Sequence, residues 1–340
     1  MAILITGGMG HVGYETVRQA AAAGHEVIAQ YRSVFREADA NALRGTVTWV
    51  RCDLAAPAEV AALVDRHPIE GCIHTAAVPN DQVARKDPLG AVEANIGGVC
   101  RLLDAARHHG WRRFINTSTG SVFQNAIDAT TPILEDAPTR ATNTYSTTKL
   151  AGEMLTSLYR SQFGVPAATV RISWVYGPPL VPRERDNPRG PIPVFLKLAL
   201  AGKSVREPSG ADFAASYTYV GDVAAGLLAA YDAKALTHDL YHLGSGRNYD
   251  TGAVAAAVRA VVPGAVIEVG PGTAPWTDYT RMRGPLAGTR LRDDTGFAPA
   301  HGLEAGIAEF ADWMRAHPES YLEQAGVRTV GVVRAGEDRS

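Results

Sequence analysis

The stretch NTYSTTKLAGE places Tyr145 four residues before Lys149. Four residues is just over one helical turn, so in a helix both side chains share a face. A phenol beside an ammonium is one way to make a base. An unperturbed tyrosine, with a pKa of about 10, is poorly ionised at neutral pH. An adjacent ammonium favours the phenolate and brings it toward the range where it can take or return the proton of a carbinol. The same spacing also occurs as surface decoration, so its meaning depends on what else the chain holds.

A second chemical signal opens the chain. In TGGMGHVG, Gly8, Gly10 and Gly13 satisfy G-x-G-x-x-G, and Gly7, Gly10 and Gly13 equally satisfy G-x-x-G-x-x-G. Either set allows a tight turn and lets backbone approach a pyrophosphate. His11 and Val12 then begin a helix whose N-terminus favours negative charge. An apolar run precedes the loop and another follows about 20 residues on, the setting of a dinucleotide site. That second run ends EVIAQYRSVFR. The acid that would meet the ribose 2′-hydroxyl of NAD is absent, and Tyr31 is followed by Arg32, Ser33 and Arg36. A guanidinium beside a hydroxyl suits a 2′-phosphate, so NADP is the expected cofactor and NAD the alternative. Asp53, with Leu54 beside it in RCDL, is placed to meet the adenine edge.

Elements must hold these groups in place. Short β-rich apolar runs at Ala2–Ile5, Glu26–Ala29, Thr46–Arg51, Gly71–Thr75, Arg113–Thr117 and Ala167–Val175 alternate with Ala-rich helical stretches. The clearest helix pattern is AVEANIGGVCRLLDAARHHG, where Val92, Ile96, Val99, Leu103 and Ala106 recur at helical spacing. Such alternation predicts an α/β fold, a doubly wound parallel Rossmann sheet with helices on both faces. After Val175 the pattern turns Pro-, Gly- and Arg-rich around one helix, PVFLKLALAG. SYTYVGDVAAGLLAAYDA and DLYHLGSG read as a helix and a strand that rejoin the sheet. The expected division is a dinucleotide-binding domain at 1–175 plus 217–262, a smaller discontinuous substrate domain at 176–216 plus 263–330, and a tail at 331–340.

Composition narrows the classes. With 33 Lys and Arg against 35 Asp and Glu, no basic field points to nucleic acid or an anionic membrane. Cys52, Cys72 and Cys100 lack metal-ligand spacing, so no metal site is expected, and they read as free thiols of a reducing compartment. The chain opens directly on MAILITGG, with no signal-peptide pattern and no run long enough to span a bilayer. The expectation is a cytoplasmic protein with a small-molecule substrate and neither nucleic-acid nor membrane partners.

An ordered series of motifs resembles the extended short-chain dehydrogenases/reductases, which include the NAD-dependent epimerase/dehydratase group. TGGMGHVG resembles the family's glycine loop, and HTAA, with Ala76 and Ala77, its turn after the fourth strand. ANIGGVCRLLDAA resembles its N-x-x-G helix, INTSTGSVF its Ser-rich turn, and YSTTK its Tyr–Lys pair; RISWVYGPP, YTYVGDVA and YHLGSG match later landmarks. The resemblance implies that Tyr145 is the general acid/base and Lys149 its partner, which also reaches the nicotinamide ribose. It implies that Thr119 is the substrate-facing hydroxyl, that Ser118 lies nearer the cofactor and that Asn95 supports the site. Asn80, Ser121, Phe123 and Tyr176, with Asp81, are the candidate substrate contacts. Family members often dimerise through a helix pair, so a homodimer through AGEMLTSLYRSQF, with Met154, Leu155 and Leu158, is expected.

Two departures matter. The family's dehydratases carry an Asp–Glu pair after the catalytic Thr; here stand Gly120 and Ser121. Where its sugar-nucleotide enzymes often carry R-D-F, Ala215 takes the Arg position, leaving Arg281 or Arg283 to meet an anion. The expected activity is hydride transfer between nicotinamide and a secondary alcohol or ketone of a polyhydroxylated, sugar-like substrate. The alternative is a sugar or sugar-nucleotide epimerase with a transient keto intermediate. A cofactor sensor without catalysis would not need Tyr145 and Lys149.

Overall fold

The run Ala2–Ile5 carries no polar side chain, as a strand covered on both faces requires. In the computed structural model, which describes residues 1–124, 128–181 and 190–321, it forms β1 (Ala2–Thr6), buried throughout. With β2 (Val27–Tyr31), β3 (Val47–Arg51), β4 (Ile69–His74), β5 (Arg113–Thr119), β6 (Ala167–Ile172) and β7 (Leu240–Leu243) it makes one sheet in the order β7-β6-β5-β4-β1-β2-β3. Every pairing is parallel. The order reverses between β1 and β4, the position at which ligands enter such sheets at the strands' carboxyl ends.

Each face has its own core. Val17 and Ala20 of α1 (His11–Ala22) and Val223, Leu227 and Tyr231 of α4 (Val220–Asp232) cover one side. Val99, Leu102 and Leu103 of α2 (Gly98–His108) cover the other, with Leu155 and Tyr159 of α3 (Thr144–Phe163) against them. Each fully buried aliphatic side chain contributes about 1.5–3 kcal/mol relative to exposure.

Two expected elements differ. The helix over AVEANIGGVCRLLDAARHHG is interrupted: Pro88–Val92 is helical, Glu93–Gly97 makes a π-helical turn, and α2 follows. The extra residue rotates the stripe, so Val92 is exposed and Asn95 faces the interior. The strand expected to reach Val175 leaves the sheet after Ile172, because the Trp174 N–H turns to the Ser216 carbonyl at 2.9 Å.

The chain forms two compact units. The first holds the sheet in Met1–Val175, Ala215–Asn248 and Arg281–Gly302. The second comprises Tyr176–Ala214, Tyr249–Thr280 and the residues from Leu303. Its helices Pro191–Leu200, Thr251–Val261 and Leu303–Ala316 pack together beside a parallel ribbon of Val205–Glu207 and Ile267–Val269. The expected boundaries therefore shift: helix Thr251–Val261 packs in the second unit, and Arg281–Gly302 returns to the first. That return is held by Asn248 Nδ2 donating to the Arg283 carbonyl at 2.6 Å and by the Ala287 N–H on the Ile133 carbonyl at 2.9 Å. The tail at 331–340 lies outside the described residues. Among the described residues no helix is long and apolar enough to cross a membrane.

Candidate active site

The glycine loop closes against the turn after β4. Gly7 has φ +68°, and a Cβ there would lie 2.9 Å from Ala76 N and Cα. A Cβ on Gly13 would meet Thr75 Oγ1 at 2.7 Å, so α1 can approach the sheet only with glycine at that position. Gly10 caps α1 without a side-chain hydrogen bond, so no capping side chain stands between the helix N-terminus and an anionic ligand. This cradle fits a pyrophosphate. Sequence reasoning missed the residue that holds it. Gln30, buried in β2, accepts from Gly7 N at 2.9 Å and donates to the Cys52 carbonyl at 2.5 Å. One amide thus ties the loop to the end of β3, next to Asp53.

Asp53 Oδ1 caps its own turn by accepting from Ala55 N, and Leu54 is buried in the core beneath α2. Tyr31 ends β2 and packs on Phe35, ring centroids 4.7 Å apart. Arg32 is exposed. Arg36 is not: Nη1 donates to the Met9 carbonyl at 2.6 Å and Nε pairs with Asp39, which fixes it to the loop's own backbone.

Under the loop, Thr6 and His74 are register partners on β1 and β4. Thr6 Oγ1 accepts from Thr75 N and Ala76 N and so gives its proton to His74 Nδ1 at 2.8 Å, which leaves the His74 proton on Nε2. Burial, aided by Lys149, lowers the His74 pKa to about 3; burial, aided by Arg171, does the same to His242. Both stay neutral in the fold while their unfolded counterparts charge below about pH 6.5. The unfolded chain therefore binds more protons between about pH 3 and 6.5, and stability falls as pH falls through that window. Two such groups give a slope of about 2.7 kcal/mol per pH unit. Chemical denaturation at several pH values should show it, and His242→Gln should remove about half; an unchanged slope would contradict the assignment.

The helix that carries Tyr145 and Lys149 starts where Asn143 sets it. Asn143 Oδ1 accepts from Ser146 N and Ser146 Oγ from Asn143 N, a reciprocal cap at the start of α3. Asp81 Oδ1 accepts from Tyr145 N at 3.3 Å. Lys149, one turn on, is 4% exposed. Burial lowers its pKa to about 8, and the Glu153 carboxylate works against that. Asn95, at the π-helical turn, accepts from Val78 N at 2.7 Å and donates to Thr148 Oγ1 at 3.0 Å. Its amide thus joins the turn after β4 to α3, and the π-helical turn is what aims it there.

Thr119 ends β5 and accepts from Ser121 N at 3.1 Å. Ser118, expected nearer the cofactor, is buried and donates to Glu153 at 2.5 Å. Of the expected substrate contacts, Asn80 is buried and caps a short helix through Val83 N, with Nδ2 lacking a hydrogen-bond partner among the described residues. Ser121 remains partly exposed on the turn after β5. Phe123 is instead a core residue, edge-on to His242 and under the Arg171 guanidinium, because an apolar ring next to Val122 and Leu286 gains most by burial. Tyr176 is likewise buried, in the second unit, where its hydroxyl donates to the Leu303 carbonyl at 3.5 Å. Arg283 lies beside the turn after β5: its segment runs along Thr131–Ile133, and Leu286 covers Gly120. Its Nη1 is buried without a hydrogen-bond partner among the described residues, and burial lowers its pKa to about 10.

A doubly wound sheet, a glycine cradle at the switch point and a Tyr–Lys helix in the same unit define an enzyme of the extended short-chain dehydrogenase/reductase type. The model of the NAD dependent epimerase/dehydratase family matches residues 3–244, and the chain belongs to that family. It is 27% identical over 321 residues to UDP-glucose 4-epimerase of Mycolicibacterium smegmatis, covering 93% of this chain and 99% of that one. It is 26% identical over 251 residues to dTDP-glucose 4,6-dehydratase of Streptomyces griseus, covering 72% and 71%. The structure of Thermus thermophilus UDP-glucose 4-epimerase in complex with NAD aligns with TM-score 0.80 at 25% identity, over 93% of this chain and 99% of that one.

Proposed function

We propose that the chain is a sugar-nucleotide epimerase, with NAD held by the glycine cradle and Thr119, Tyr145 and Lys149 at the reacting carbinol. The observation that carries this is the buried Lys149 ammonium one helical turn from Tyr145, in the unit that also holds the cradle. NAD bound there supplies a hydride acceptor that can give the hydride back. Tyr145 takes the hydroxyl proton as the ketone forms and returns it when the sugar is reduced on the other face. Lys149 stabilises the phenolate, and Thr119 orients the sugar oxygen. Elimination of water needs an acid and a base that Gly120 and Ser121 do not supply, so the reading excludes the dehydratase branch.

NAD rather than the expected NADP is proposed because Arg36 is held back against the glycine loop by Met9 and Asp39, and because the Thermus thermophilus enzyme binds NAD. Net redox with NADP is the second reading, carried by the exposed Arg32 at the end of β2. A nucleotide substrate is favoured by Arg283, whose buried Nη1, without a hydrogen-bond partner among the described residues, suits a diphosphate oxygen. Arg283→Leu should raise KM for a UDP-hexose by about 10–100-fold, the scale of one charge-assisted bond, with kcat within a few-fold. An unchanged KM would contradict the anion role. Incubation with UDP-glucose and related hexoses should yield an isomer without net nicotinamide reduction; steady accumulation of reduced cofactor supports the second reading. We also propose a homodimer, resting on Met154, Leu158 and Phe163, which are exposed along α3, whereas Leu155 turns into the core. A monomeric mass in sedimentation at micromolar concentration would contradict it.

A further inference from the structure

The side of α3 that faces the sheet continues past Lys149 to Glu153, again one turn on, and Glu153 is 7% exposed. Its carboxylate is fully engaged. Ser118 Oγ donates to Oε1 at 2.5 Å, Arg171 Nε reaches Oε1 at 3.0 Å and Oε2 at 3.1 Å, and Arg171 Nη2 reaches Oε2 at 2.7 Å. Ser118 immediately precedes Thr119 on β5, and Arg171 lies on β6. A buried ion pair is a poor stability device, because desolvation offsets most of its attraction and apolar replacements are often as stable. Stability alone therefore does not explain a pair placed against this helix turn.

We infer that Glu153 is a positioning residue for Lys149: it fixes the Lys149 turn of α3 to the Thr119 end of β5 and supplies the negative charge that the buried ammonium faces. Without that charge, burial acts on Lys149 unopposed. The other groups around this part of α3 do not replace it. Asp81 is spent on the Tyr145 N–H at the helix start. His74 on β4 and His242 on β7 are neutral. Arg171 is itself a cation. Glu135 carries its carboxylate to Arg290 N, with only its carbonyl turned to Arg171. The inference deepens the proposed Tyr145–Lys149 mechanism and rests on it for its catalytic meaning.

The test reads Lys149 directly. The chain has five lysines, so NMR of carbon-labelled lysine side chains can follow each one, with Lys149 assigned by its loss in Lys149→Met. In Glu153→Gln the Lys149 midpoint should fall by ~1 pH unit, the scale of one nearby opposite charge. The paired Glu153→Gln/Arg171→Gln variant removes both members of the ion pair, so neither is left buried without the other, and it should fold even if the single variant does not; its midpoint should fall too. Glu153→Asp should keep the midpoint near the parent's. Activity at about pH 8, where Lys149 titrates, should drop about fivefold in both Gln variants with little change in KM. A Lys149 midpoint in the paired variant equal to the parent's would overturn the inference and leave Glu153 a fold-holding residue. The titration needs no substrate, so failure of the epimerase reading would appear only in the activity arm.

Discussion

Tyr145→Phe is expected to cost about 10²–10⁴-fold in kcat, the contribution of one positioned acid/base. The substitution removes a single oxygen. The backbone N–H of residue 145 keeps its bond to Asp81, and the cap at Asn143 and Ser146 is untouched. Helix α3, the glycine cradle and NAD affinity should therefore stay as they are, and the loss should sit in kcat rather than in KM. Steady-state kinetics with the isomerising substrate, beside an equilibrium NAD titration, separates the two. A variant within a few-fold of the parent in kcat would make the phenol a bystander and remove the mechanism.

Lys149→Met should cost as much and should also weaken NAD, because one ammonium is proposed to serve both phenol and ribose. Loss of a charge-assisted bond corresponds to roughly 10–100-fold in affinity. The pH profile carries the sharper signature. Burial holds the Lys149 pKa at about 8, below its ordinary value, so the ammonium is charged below about pH 8 and neutral above. Support for the phenolate is thus present on the acid side and lost as pH rises through that value. The parent should lose activity along an alkaline limb near pH 8. Lys149→Met, with low activity throughout, should lack that limb; an unchanged limb would assign it to another group.

The layout of the sheet was legible because its signals are local. A parallel strand needs a continuous apolar run, a phosphate turn needs glycines at fixed offsets, and a helical pair needs a four-residue step; each is read within about a dozen residues. What escaped depends on distant partners. Gln30 looks like an ordinary strand residue until Gly7 and Cys52 meet it from either side. Glu153 and Arg171 are 18 positions apart, and nothing local marks them as a pair until β6 packs against α3. The burial of Phe123, a candidate substrate contact in sequence, was not legible, because the His242 and Arg171 that enclose it are far along the chain. Asn95 was visible, but its aim was not: the π-helical turn that points it at Thr148 breaks the 3.6-residue period on which the helix was read. Arg36 likewise reads as a phosphate ligand in sequence and is a backbone clamp in the fold.

In the proposed function a hydride leaves a sugar carbinol and returns to the same molecule. The most direct measurement mixes the NAD-loaded enzyme with a UDP-hexose and follows sugar configuration and nicotinamide absorbance together. Conversion to an equilibrium mixture of two isomers is expected, with no net change in absorbance, and Tyr145→Phe should abolish it. Stoichiometric build-up of reduced nicotinamide with an oxidised sugar, or isomerisation that survives Tyr145→Phe, would contradict it.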